Sequence, residues 1–406
     1  MSKNKYEVYY GLPEEVRFCK RCVVSNQRPM SAREFTIDAK NEKKETMIFN
    51  DGLCHACQYA DMKDDSIDWE DRELQLQQLC DKYRSKDGSY DVIIPGSGGK
   101  DSGFQAHILK HKYGMHPLTV TWSPQMYTDI GWKNLMNWIT IGGFDHYLFN
   151  PNGSIYRLLT KISFEKLFNP LQPFIYGHKY IGPRMAIMNN VKLVFYGENV
   201  AEYGNKITDN NTPYKQPELY SIEKVDFDKL FYSGMRLSDL MKEYNLSVND
   251  MKAFLPLETN EIKKHNIEFQ CLGYYIRWTP QESYYYAIEN TGFEPNPKRV
   301  QGSYTKYKSI DAKMDWIHFY TYFMKFGIGK ATMDASQEIR NGHITREEGV
   351  SLVQRYDGEF PSDYFEDFLD YINITEDEFW LRADKARSPH LWKKENGEWK
   401  RRYIVS

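Results

Sequence analysis

The chain has 406 residues, enough for two or three domains rather than one. Hydrophobic residues make up 41% and charged residues 27%, the balance of an ordinary folded protein, and a net charge of −3 argues against general affinity for nucleic acid or membrane surfaces. No apolar run approaches the ~20 residues that span a bilayer, and the polar N-terminal residues lack the apolar core of a signal peptide, so a cytoplasmic protein is expected.

Residues 1–66 are polar and turn-rich, with few periodic apolar positions and two Cys-x-x-Cys pairs, Cys19/Cys22 and Cys54/Cys57. So small and irregular a segment needs a staple to fold. In a reduced compartment, cysteines paired this way indicate metal or redox chemistry rather than disulfides. Two such knuckles can close a tetrahedral thiolate site around Zn2+, the reading preferred here. The 31 residues between the pairs exceed the usual ribbon spacing, and an iron–sulfur cluster or redox-active thiols are the alternatives. His55 reads as a surface residue, and Cys80 and Cys271 as packed core thiols.

Residues 67–225 alternate helix-like and strand-like stretches. Leu74, Leu76 and Leu79 mark a helix, Val92–Ile94 a short apolar strand, and Phe104, Ile108 and Leu109 a helix that should stop at Gly114. Leu118–Trp122 reads as a second strand, Trp132, Leu135 and Ile139 as a helix ending at Gly142, and Asp145–Phe149 and Leu193–Tyr196 as further strands. Such alternation implies a parallel sheet covered on both faces, with ligands at the carboxyl ends of its strands. From residue 226 onward the pattern is mostly helical. Ser238–Leu255 reads as one helix, and Thr345/Glu348 and Thr375/Glu378 as two capping boxes. The last stretch is basic, a solvated tail or a docking surface for an anion.

The strongest signal is the run from Asp91 to Ser102, an apolar strand entering Ser97-Gly-Gly-Lys-Asp-Ser102 and then a helix. Gly98 and Gly99 let the backbone turn tightly and aim successive N–H groups at one point, and the helix N-terminus adds its positive dipole end. Ser97, Ser102 and Lys100 supply further donors and a charge, which together suit the β,γ-pyrophosphate of a nucleotide. The spacing is neither that of a Walker A loop nor that of a dinucleotide fingerprint.

This loop resembles that of the PP-loop superfamily, marked by Ser-Gly-Gly-x-Asp-Ser after the first strand. The resemblance implies an adenine nucleotide α-hydrolase-like α/β fold that binds ATP through Ser97, Gly98, Gly99, Lys100, Asp101 and Ser102, with Lys100 and Asp101 catalytic. It also implies Mg2+ placed with help from Asp101, adenine near Thr119–Ser123 with Trp122 able to stack or to serve the core, and AMP and pyrophosphate as products. The implied division is a zinc-ribbon-like segment (1–66), a PP-loop ATP-pyrophosphatase domain (67–225) and a mostly helical C-terminal domain (226–406).

Three more segments narrow the resemblance: Gly177–Arg184, Gly197–Gly204, and Ile344–Gly349 continuing to Tyr356–Glu359. With the cysteine pairs, they resemble the N-acetyl sugar amidotransferases of bacterial surface-polysaccharide (lipopolysaccharide, O-antigen) biosynthesis. Such an enzyme converts an acetamido group into an acetamidino group on an activated or lipid-linked N-acetyl sugar. Glu198 is then a candidate catalytic residue, and Asn199, Glu202 and Arg184 are candidates to hold the substrate. Neither Cys80 nor Cys271 lies in a glutaminase nucleophile context, so ammonia is expected from separate glutaminase/cyclase-like subunits similar to those of histidine biosynthesis. Nucleic acid is not an expected partner. The competing functions are a PP-loop tRNA thiolase, or a zinc-ribbon binding protein with a relict nucleotide site.

Overall fold

A computed structural model describes residues 6–30, 45–197, 199–206 and 212–406. The N-terminal segment has little apolar sequence of its own and folds by sharing a core. Cys19, Cys22, Val23 and Val24 pack with Phe326, Ile328, Ile339, Val353 and Trp392 from the far end of the chain. Helix α1 (His55–Asp65) starts directly after Cys54 and carries the last of the four paired cysteines.

Helix α2 (Trp69–Tyr83), capped by Asp68, leads to β1 (Val92–Pro95), all four of whose residues are buried. Strands β2 (Pro117–Trp122) and β3 (Asp145–Phe149) lie on one side of β1, with β4 (Leu193–Tyr196) and β5 (Glu268–Cys271) on the other. The order is β5-β4-β1-β2-β3 and every pairing is parallel, with Ile93 facing Leu118 and Val194 across the register. Parallel neighbours need crossovers, supplied by α3 (Lys100–His111), α4 (Asp129–Thr140), α5 (Gly153–Leu167) and α6 (Gln172–Met188).

The strand period of two explains the unbroken apolar runs. Val92, Ile94, Leu193 and Phe195 pack with Leu76, Leu109, Leu135 and Trp138 of α2–α4. Ile93, Leu118, Val120, Val194 and Phe269 pack with Leu159, Ile162, Tyr180 and Ile181 of α5 and α6. Each fully buried aliphatic side chain contributes ~1.5–3 kcal/mol, so the sheet is a rigid base for whatever its loops hold. Because β2 and β4 leave β1 in opposite directions, the loops after β1 and β4 diverge and open a crevice, the usual ligand position in such sheets.

The region after residue 226 contributes more than helices, since β5 closes the sheet edge. Ser238–Leu255 is two helices, Leu237–Glu243 and Val248–Met251, not one. Asn245 adopts a left-handed φ of 51°, and Ser247 begins again with a capping box to Asp250. Helix α7 (Pro280–Thr291) packs on α3, and α8 (Lys313–Phe326) and α9 (Lys330–Arg340) follow. Both expected capping boxes form, opening Arg346–Tyr356 and Glu376–Ala386.

The basic end is largely neutralised within the fold: Arg382 pairs with Glu165, Arg387 and Lys394 with Asp384, and Lys393 and Lys400 with Glu395. Among the described residues, no helix is long and apolar enough to cross a membrane.

Candidate active site and thiolate centre

At the end of β1 the chain makes its turn at Gly98, φ 80°. A Cβ there would stand 2.7 Å from Leu135 Cα and 2.8 Å from the Asn134 carbonyl oxygen, so this position accepts only glycine. Helix α3 then starts at Lys100 with Gly99 as its N-cap and no capping side chain, leaving the first-turn amides available to an anion. Ser97, Gly99, Lys100, Asp101 and Ser102 line a cleft of about 1000 Å3. Lys100 Nζ bonds the Asp101 carboxylate, and Ser102 Oγ donates to the Gly99 carbonyl at 3.1 Å. The other carboxylate oxygen of Asp101, Oδ1, is buried with no hydrogen-bond partner. The strand–loop–helix arrangement expected of a PP-loop protein therefore stands at the crevice between β1 and β4.

Trp122 touches the cleft but is only 2% exposed. Gly177 of α6 lies against its ring so closely that any side chain there would run into it, and Trp122 Nε1 donates to Tyr156 Oη at 3.2 Å. Core packing is its main occupation.

The opposite wall was not foreseen. It comes from the C-terminal segment and includes Lys308, Asp311, Asp315 of α8, and Lys330, Asp334 and Arg340 of α9. Ser97 Oγ donates to Asp311 Oδ2, so this segment touches the loop itself. Burial pushes the Asp311 carboxyl above the usual range, and the Ser97 hydrogen bond and nearby Lys100 only partly offset it. Burial and then the Asp311 charge push Asp315 up to about 7, with Lys330 opposing. Burial likewise draws the Lys330 ammonium down. Lys330, Asp334, Gln337 and Arg340 fall at helical spacing on one face of α9, and all four are buried. The available signal was a helix whose apolar stripe, Ala331, Ala335 and Ile339, is matched by a charged face of Lys330, Asp334 and Arg340, which only a satisfied network can bury.

Of the expected substrate residues, Glu198 lies outside the described residues. Asn199 and Glu202 are 1% and 4% exposed and turn away from the cleft. Asn199 Nδ2 donates to Tyr59 Oη at 2.9 Å while its Oδ1 accepts from the Ala201 amide, and Glu202 pairs with Lys63 Nζ at 2.6 Å. Both residues thus fasten the loop after β4 to α1 of the cysteine segment. Arg184 Nη2 donates to the carbonyls of Lys252 and Leu255, also away from the cleft. The loop after β4 lines the cleft instead through Gly197, Val200, Tyr203 and Asn205.

Cys19, Cys22, Cys54 and Cys57 are all buried, with their Sγ atoms within 4.8 Å of one another. The Cys19–Cys57 and Cys22–Cys54 separations are 3.7 Å and 3.6 Å. A tetrahedral ion with ~2.3 Å metal–sulfur bonds needs ligand separations of ~3.8 Å, so the four thiolates fit one metal ion. His55 is outside this set, with Nε2 3.4 Å from Asn50 Nδ2. Cys80 and Cys271 are buried; Cys271 also lines the cleft, with its thiol 3.4 Å from the Gly197 carbonyl.

Residues 301–404 match the family model for the C-terminal domain of WbpG-like LPS biosynthesis proteins. No curated protein matches the chain. Similar solved structures include an NH3-dependent NAD synthetase from Campylobacter jejuni, with 14% identity over 46% of this chain and 77% of that one and a TM-score of 0.25. An NMN synthetase from Francisella tularensis shows 13% identity over 50% and 85%, with a TM-score of 0.23. The U34-tRNA thiolase NcsA from Methanococcus maripaludis, solved with its 4Fe-4S cluster, shows 12% identity over 78% and 86%, with a TM-score of 0.30.

Proposed function

We propose that this chain, which ends in a WbpG-like segment, is an AMP-forming, ATP-dependent amidotransferase that turns the acetamido group of an N-acetyl sugar into an acetamidino group. The observation that carries this reading is the Ser97–Ser102 loop opening onto a cleft with room for a sugar beside a nucleotide. An amide oxygen is a poor leaving group, and the loop suits the step that activates it. The acetamido oxygen attacks the α-phosphorus, the bond to pyrophosphate breaks, and an O-adenylyl imidate forms. Ammonia adds to the imidate carbon, the carbon–oxygen bond breaks, AMP departs and a proton is lost to give the amidine.

In this scheme Lys100, Ser97, Ser102 and the open amides of α3 hold the pyrophosphate, so catalysis is positioning and charge neutralisation. The unpartnered Asp101 Oδ1 fits a contact to Mg2+, which would supply further neutralisation of the phosphates. The tetrathiolate site suits Zn2+ in a structural role. Trp122, Asn199, Glu202 and Arg184 keep only supporting roles near the site, in packing and loop placement, while Glu198 remains the candidate to orient the sugar or the incoming nitrogen. The chain works as a synthetase subunit with ammonia supplied by separate glutaminase/cyclase-like subunits.

The test is to incubate the purified chain with ATP and ammonium plus an N-acetyl sugar, tRNA or no acceptor, and to follow pyrophosphate. Sugar-dependent release of AMP and pyrophosphate is expected, with glutamine used only when the partner subunits are added. ADP and orthophosphate as products would overturn the reading. A tRNA thiolase is favoured only by Cys271 at the cleft, and tRNA-triggered pyrophosphate release abolished by Cys271→Ala would establish it instead.

A further inference from the structure

Two of the cations on the C-terminal wall are already neutralised. Lys330 Nζ lies 2.5 Å from Asp334, and Lys308 Nζ lies 3.1 Å from Glu338 and 3.8 Å from Asp334. Arg340 differs. It lines the same cleft, is 6% exposed, and donates from Nη2 to the Glu202 carbonyl at 2.9 Å. Its Nε and Nη1 are buried with no hydrogen-bond partner among the described residues. Burial opposes the charge, but the cluster thiolates and Glu202 more than offset this, and a guanidinium does not deprotonate in proteins. A buried cation with idle donors is costly unless something satisfies them.

That something is not the pyrophosphate of ATP. The C-terminal wall meets the Ser97–Ser102 loop through Asp311, whereas Arg340 hydrogen-bonds the Glu202 carbonyl of the loop after β4. Lys330 and Arg340 stand ten positions apart on α9, about 15 Å along the helix axis. Arg340 therefore lies toward the loop after β4, where the acceptor would sit.

We infer that Arg340 is an anion subsite for the acceptor, binding a phosphate or carboxylate oxygen carried by the sugar through the donors on Nε and Nη1. The inference rests on the proposed acceptor being an N-acetyl sugar. Both oxyanions share the chemistry a guanidinium recognises, and the charged group anchors the sugar at one end of the cleft while the acetamido oxygen meets ATP at the other.

The test uses the metal-loaded full chain saturated with Mg2+ and α,β-methylene ATP, so that the loop is filled and no turnover occurs. Calorimetric titration then compares three probes that share ring and acetamido group: N-acetylglucosamine, its 1-phosphate, and the corresponding uronic acid. One charged probe should bind about tenfold or more tighter than the neutral sugar, the scale of one charge-assisted contact, and which one does so identifies the anion. Arg340→Gln should erase that advantage while leaving neutral-sugar binding and metal content at the wild-type level, with a small fall in melting temperature from the lost bond to the Glu202 carbonyl. If Arg340→Gln instead sheds metal or unfolds, Arg340→Lys decides, because it keeps the charge beside the thiolates and loses the guanidinium donors. A reduced advantage in Arg340→Lys supports the subsite, and an advantage equal to wild type overturns it. Equal wild-type affinity for all three probes, or an advantage that survives Arg340→Gln, also overturns it. Binding of no N-acetyl sugar at all, together with no sugar-dependent pyrophosphate release, fails the functional reading instead.

Discussion

The two walls of the cleft are built in opposite ways. One is six consecutive residues, Ser97–Ser102, whose binding groups are largely backbone amides at the start of α3. The other is assembled from side chains between Lys308 and Arg340, held by one another in a buried ionic network and braced from behind by the thiolate centre. The first wall needs only a strand, a turn and a helix in the correct order. The second exists only when the two ends of the chain have packed together. Local sequence is therefore enough to build the loop wall, and long-range folding is needed to build the other.

The sharpest way to break this comparison is to remove the brace. Cys54→Ser should release the metal proposed for the four thiolates and destabilise the N-terminal segment by ~10 kcal/mol or more, the scale of structural zinc in small domains. Tyr59 and Lys63 on α1 hold the loop after β4, and Arg340 reaches that loop from α9, so the cleft should fail with the metal. Metal analysis alongside pyrophosphate release is the measurement. A metal-free protein at full activity would mean that the walls are independent.

Lys63→Met is the next largest test. It leaves Glu202 buried without its partner, an arrangement that typically costs 3–5 kcal/mol. Urea midpoints should show that loss, and Lys63→Met with Glu202→Leu should recover much of it. If the double variant is no better than the single, the pair is not what joins the segments.

On the loop wall, Lys100→Ala should lower the adenylylation step by about 10²–10³, the usual effect of deleting one preorganised charge partner, with little change in melting temperature. Asp311→Asn, which keeps an acceptor for Ser97 but alters the charge, should cost about tenfold in the same assay. Reversal of that order would place the stronger contribution on the C-terminal wall.

The sequence made one wall legible and hid the other for the same reason. The loop, strands β3 and β4, both late capping boxes and the four thiolates could be read because each is a short-range pattern whose physics is local. Strand β5 could not, because Glu268 and Gln270 break the continuous apolar run that marks a strand as short as β4, and Glu268–Cys271 becomes a strand only by pairing with β4. Asn199 and Glu202 sit in the loop where substrate residues were expected, but nothing local says that Tyr59 and Lys63, over a hundred positions earlier, will claim them. Lys330, Asp334 and Arg340 belong to no motif, and their place in the cleft wall is set only when α9 packs against the cysteine segment. Polarity in sequence does not distinguish a wet face from a satisfied interior.

The smallest expected effect concerns Asp315, where the ionic wall meets the cleft. Its folded pKa of about 7 lies above the ordinary 3.8, so folding favours the protonated carboxyl. The native chain then holds more protons than the unfolded chain between roughly pH 4 and 7, and stability falls with rising pH across that window. The Asp315 contribution is complete below the unfolded value and lost once the folded group ionises. Asp315→Asn removes the ionisable group, so urea midpoints of variant and wild type should converge near pH 4 and separate by pH 8, the variant being more stable by about 1–2 kcal/mol once solvent screening in an open cleft is allowed for. ATP would meet the same added negative charge beside its phosphates, so its KM should rise through pH 7 in wild type and less steeply in Asp315→Asn. A constant gap between the two proteins at every pH would show that Lys330 already neutralises the carboxylate, and the C-terminal wall would then be a balanced network rather than one held short of ionisation.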